Sequence, residues 1–120
     1  MSGPAGLVRL APVPSEPLNL EVVDRSPGQA TARVSGDLDI VTSEDVKREL
    51  TQLVDDGVTG LTLDLGDVGF VDSSGLGVLV ALHRYAEAHQ GTFVVRSVPP
   101  AVQRLFEITR LGDLLTIDGA

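Results

Sequence analysis

Leu61, Leu63 and Leu65 alternate with Thr62 and Asp64, and from Leu76 through residue 88 nearly every face of the chain is apolar. A period of two followed by a long apolar run reads as a strand feeding a buried helix. Strands that alternate with helices need crossover connections, so the stretch predicts parallel strands with helices packed on them. Between the two lies Asp72-Ser73-Ser74-Gly75-Leu76-Gly77. Its hydroxyls are expected at a strand-to-helix corner, beside the first free amides of the helix, where a phosphate is well placed.

The remaining runs extend this pattern. Residues 18–23 and 29–35 alternate around Asp24-Arg25-Ser26-Pro27-Gly28, which predicts a hairpin and one antiparallel pair. Gly36-Asp37-Leu38-Asp39 is read as a break. Thr42 and Asp45 then resemble a capping box that opens a helix with an apolar stripe of Val46, Leu50, Leu53 and Val54, closed at Gly57. Gly66-Asp67-Val68-Gly69 is read as a turn, and Gln90-Gly91 as the stop of the apolar helix. A strand over 92–96, a helix entered at Pro99-Pro100 with Val102, Leu105, Phe106 and Ile108 inward, and a strand over 114–117 complete the chain. The predicted fold is α/β, a mixed, mainly parallel sheet of about five strands with helices packed on it and a core of Leu, Val and Ile. Four of the seven prolines fall in residues 1–17, which are expected to be a flexible tail before a single domain over 18–120.

A net charge of −8 with 3% aromatic residues opposes phosphate-backbone binding and base stacking, so no nucleic acid partner is expected. The chain has no cysteine and two histidines, too few to suggest a metal site. No apolar run approaches the ~20 residues of a membrane span, and the first residues lack the features of a signal peptide. A soluble cytoplasmic protein without a cofactor is expected, a monomer that forms hetero-complexes. Its acidic surface favours a partner with basic side chains.

Three uses of the corner compete. In the plainest, Asp72 is a helix N-cap and the glycines permit close packing. In the second, a serine is a nucleophile; no G-x-S-x-G elbow is present, and His83 lies ten residues down the same helix, roughly 15 Å at about 1.5 Å per residue. No other catalytic motif appears, so the chain is read as a non-enzyme. In the third, a serine accepts phosphate from another protein's kinase. Local physics does not distinguish Ser73 from Ser74.

Gly36-Asp37-Leu38-Asp39, Phe70-Val71-Asp72-Ser73-Ser74-Gly75-Leu76-Gly77 and Pro100-Ala101-Val102-Gln103-Arg104-Leu105-Phe106 resemble, in order and spacing, the STAS domains of bacterial anti-sigma factor antagonists. The resemblance implies a STAS-type fold and a switch. The unmodified protein binds an anti-sigma factor that is also a serine kinase and so releases a sigma factor. That kinase phosphorylates the serine after the aspartate, here Ser73, and a PP2C-type phosphatase restores it. The resemblance also implies that Asp37 and Asp39 lie near this serine and, together with Asp72, Ser74, Gly75 and Leu76, help form the partner surface. Arg110 departs from the glycine many relatives have before this leucine. The alternative within the same family is a constitutive interaction or ligand-binding module, as in stressosome-like or lipid-transport assemblies, whose serines only cap a helix.

Overall fold

The computed structural model describes residues 18–118; the expected N-terminal tail, residues 1–17, lies outside the described residues. Five strands, β1 (Asn19–Ser26), β2 (Gln29–Leu38), β3 (Gly60–Val71), β4 (Thr92–Arg96) and β5 (Thr116–Asp118), form one sheet in sequence order. Only β1 and β2 run antiparallel, joined across Pro27 and Gly28, whose φ of 76° matches the predicted turn. Helices α1 (Ser43–Asp55), α2 (Ser73–Ala88) and α3 (Pro100–Thr109) are the three crossovers.

Successive right-handed crossovers in one direction place every helix on the same face of the sheet. Burial agrees: Ala30, Ala32 and Val34 of β2, Leu61, Leu63 and Leu65 of β3, and Phe93 and Val95 of β4 are buried with the helices' apolar stripes in a single core. Isoleucine is absent from that core. Ile40, Ile108 and Ile117 are all exposed, and Phe93 and Phe106 fill the volume instead. Ile108 departs from expectation because, at about 100° per residue, it falls well off the stripe of Val102 and Phe106.

The other face carries a row of alternating charge across all five strands, Glu21, Arg33, Asp64, Arg96 and Asp118. Asp64 is buried, and its carboxylate is compensated by Arg96 at 3.3 Å, Arg33 at 3.8 Å and the Gly66 N–H at 2.8 Å.

Two predicted breaks prove to be strand. Gly36 to Leu38 continue β2, and Gly66 to Gly69 continue β3. The pairing shows why. Arg33 and Ser35 face Asp64 and Asp67, and Gly36 and Asp37 face Val68 and Phe70, so β3 carries two extra residues. Each extra residue reverses the alternation, which returns Val68 and then Val71 to the core although they stand three apart. Gly36, at φ 97°, accommodates one of these shifts. Because β4 pairs only with the first part of β3, the ends of β2 and β3 project as a two-stranded ribbon.

Smaller corrections follow. Thr42 does not cap α1 with its side chain; its hydroxyl donates to the Asp37 carbonyl at 2.7 Å. Arg48 pairs with Asp45 at 2.6 Å, which raises its pKa through that bond. His83 is only 9% exposed, with Nε2 3.4 Å from Glu87. The last strand begins later than expected because a 3-10 turn occupies Leu111–Asp113.

Arg110 closes α3 in the left-handed conformation, at φ 63° and ψ 19°. A side chain there is strained by roughly 1 kcal/mol relative to glycine. Arg110→Gly should therefore raise the urea midpoint, by up to about 1 kcal/mol of stability. A lower midpoint would show that the arginine side chain contributes more than its backbone strain.

Candidate functional site

The projecting ribbon ends where β3 turns into α2. Asp72 has extended backbone geometry and caps the helix: its Oδ1 accepts the Gly75 N–H at 3.0 Å. Its other oxygen accepts the Ile40 N–H at 3.2 Å, and its own N–H donates to the Leu38 carbonyl at 3.2 Å. One residue thus closes the helix and ties it to the loop between β2 and α1. An N-cap of this kind contributes about 1 kcal/mol.

That loop is held by Asp39, which is buried at 8% exposure; its Oδ1 accepts the N–H groups of Val41 at 2.9 Å and Thr42 at 3.1 Å. Asp39 therefore shapes the loop rather than presenting a free carboxylate. Asp37, half-buried, faces Phe70 across the ribbon, with Oδ1 3.6 Å from where a β-carbon on Gly69 would stand. Asp67 is set back from the corner, opposite Ser35 within the strand.

Ser73 is the first residue of α2 and is exposed; Ser74 is half-buried and faces α1. With the cap supplied by Asp72, the Ser73 hydroxyl takes no hydrogen bond among the described residues. Gly75 is buried, and a β-carbon there would meet the Leu38 carbonyl oxygen, so the glycine permits α2 to sit against the end of β2. Leu76 is half-buried against the core. The structure thus brings together Asp37, Asp39, Asp72, Ser73, Ser74 and Gly75. It separates their roles: Ser73 is available to solvent, while Asp39, Asp72 and Gly75 hold the corner in shape.

Three residues escaped the sequence reading. Ile40 is 72% exposed, Val41 77% and Phe70 52%, and all three lie on the loop and ribbon beside Asp72. Apolar side chains at such exposure near one corner gain by being covered. The missed signal was Ile40-Val41 between an aspartate and a helix start, two β-branched residues with no strand or helix to serve.

Away from the corner, Tyr85 of α2 donates its hydroxyl to Asp55 of α1, and that bond, then burial, then the carboxylate charge raise the tyrosine pKa. Among the described residues no group of three or more His, Asp or Glu is arranged to hold a metal, and no helix is long and apolar enough to cross a membrane.

Comparison with known proteins gives a consistent result. The family described as "Mlab, STAS domain" matches residues 22–116. The anti-sigma-B factor antagonist of Listeria monocytogenes is 33% identical over 101 residues, covering 83% of this chain and 88% of that protein. The anti-sigma-B factor antagonist of Staphylococcus aureus is 31% identical over 86 residues, covering 72% and 80%. Among solved structures, an anti-sigma factor antagonist from Mycobacterium paratuberculosis superposes with a TM-score of 0.75 at 28% identity, covering 87% of each chain.

Proposed function

Since the chain belongs to the STAS domain family, we propose that it is an anti-sigma factor antagonist, a binding module without catalysis of its own, switched by phosphorylation of Ser73. The names of its Listeria and Staphylococcus relatives support the general role. In this reading residues 18–120 form one working domain, active in the cytoplasm. The unphosphorylated chain binds an anti-sigma factor serine kinase and frees the sigma factor. The kinase modifies Ser73 and ends the complex, and a PP2C-type phosphatase resets it.

One observation carries the assignment: Ser73 is exposed at the first turn of α2 while Asp72 does the capping. A phosphate on Ser73 would meet the positive end of the helix without displacing any bond the fold uses. Around it, Ile40, Val41 and Phe70 supply apolar contact, and Asp37, Asp72, Ser74 and Leu76 supply the polar and shape-determining part. Asp39 and Gly75 act through the loop and helix position they hold.

The test is incubation with anti-sigma factor serine kinases of the source genome and ATP, followed by mass spectrometry of the tryptic peptides. Phosphate is expected on Ser73, and Ser73→Ala should remain unmodified. Phosphate placed elsewhere, or a kinase that binds the chain yet leaves Ser73 untouched, would overturn the switch and favour a constitutive interaction module.

A further inference from the structure

We infer that the docking surface continues from the Ser73 corner into the groove between α1 and α2, and that a helix of the anti-sigma factor lies there. That helix is basic at the end nearest Asp72 and acidic at the end nearest Lys47. The inference deepens the function proposed above and rests on it.

The groove encloses about 310 Å³; Ile40, Glu44 and Lys47 line one side, and Ser74, Gly77 and Ala81 line the other. Ile40 stands at its mouth and Val41 follows it in the chain, and these are the most exposed large apolar side chains among the described residues. An occupant that covers them gains from removing their apolar surface from water. Its walls are the flanks of two helices, whose backbone groups are paired within each helix except in the first turns, where Ser43, Glu44 and Ser74 lie. The groove therefore offers no sheet edge to an extended peptide. What fits it is an element that satisfies its own backbone and contributes side chains, which is a helix.

Gly77 points to the same occupant. In the second turn of α2 a glycine is less favourable to the helix than alanine. Among the described residues nothing requires it: no atom lies within 4 Å of where its β-carbon would stand, and its φ is not positive. A helix packed into the groove would require it, because the missing β-carbon lets the two backbones approach.

Charge sets the direction. Glu44 lines the groove in the first turn of α1 and Asp72 stands at the corner, so the mouth is negative. Lys47, the chain's single lysine, lines it nearly a turn deeper. Lys47 forms no ion pair among the described residues, whereas its neighbour Arg48 is held by Asp45. A complementary helix carries the opposite sequence of charge.

The experiment uses the full chain and whichever anti-sigma factor kinase binds the wild type, with affinity measured by titration in ADP and stability by thermal melting. Gly77→Leu fills the groove with a residue that favours helix, so it should melt no lower than wild type and bind at least tenfold more weakly. Lys47→Glu should weaken binding about three- to tenfold, with a larger loss at low salt than at high salt. Binding within twofold of wild type by both variants would overturn the groove as a docking site while leaving the Ser73 reading intact. A wild-type chain that binds no anti-sigma factor would instead overturn the underlying function.

Discussion

Replacing Gly75 by alanine is expected to destabilise the fold by about 1–3 kcal/mol, the range for forcing an extra methyl into a packed site. The added β-carbon would meet the Leu38 carbonyl oxygen, and it would stand 2.9 Å from both Leu38 Cγ and Val71 Cγ1. A leucine side chain can rotate, but a carbonyl in the last position of β2 cannot yield without moving the strand. That carbonyl also accepts the Asp72 N–H, so relief of the clash strains the cap that opens α2. Gly77→Ala, two residues on, is the internal control: its β-carbon meets nothing, and helix propensity alone should stabilise it by up to about 1 kcal/mol. Urea unfolding of the three chains measures the difference. Equal midpoints for Gly75→Ala and wild type would show that α2 can withdraw from β2 freely, and the corner would not be the rigid unit described above.

The order of strands and helices was legible because period two and period 3.6 are properties of the chain itself. Leu61, Leu63 and Leu65 alternate whether or not a neighbouring strand exists. The projecting ribbon was not legible, for a reason that lies in pairing. Gly66-Asp67-Val68-Gly69 has the composition of a turn, and only the register against β2 shows that its extra residues are bulges that bring Val68 and Val71 back to the core. The same holds for Asp64. Alternation shows an acidic residue on the outer face, but its burial between Arg33 and Arg96 depends on three strands lying side by side.

At the site the division is similar. Asp72 as an N-cap follows from local spacing, since a carboxylate reaches an amide three residues on. Its second bond, to Ile40, spans 32 positions and could not be read from spacing. Asp37 and Asp39 are two residues apart with the same chemistry, yet one lies over the ribbon and the other is turned inward to hold its own loop. The exposed group of Ile40, Val41 and Phe70 was invisible because apolar residues in sequence are read as core by default; only their placement at the sheet's edge shows that nothing within the described chain covers them.

Under the proposed function, phosphorylation of Ser73 is expected to weaken the complex with an anti-sigma factor by about a hundredfold or more, equivalent to roughly 3 kcal/mol. A phosphoserine adds about −1.5 to −2 charges at neutral pH. The free protein can accommodate that charge, because the exposed oxygens stay hydrated and the N-terminus of α2 is favourable to an anion. In the complex the balance reverses. Covering Ile40, Val41 and Phe70 removes water from the corner, and a dianion enclosed there beside Asp72 and Asp37 loses hydration in an already negative setting. The effect should therefore reside in binding and not in folding. Ser73→Ala should unfold within about 0.5 kcal/mol of wild type, since its hydroxyl holds no bond among the described residues, and should bind as wild type does. Ser73→Asp and Ser73→Glu, which add one charge each, should fall between. Titration calorimetry of the four forms against one anti-sigma factor, paired with their melting curves, separates the two quantities. Equal affinities for wild type, Ser73→Ala and the phosphorylated chain would remove the electrostatic switch, and a phosphorylated chain that binds weakly only because it unfolds would place the effect in the helix cap instead.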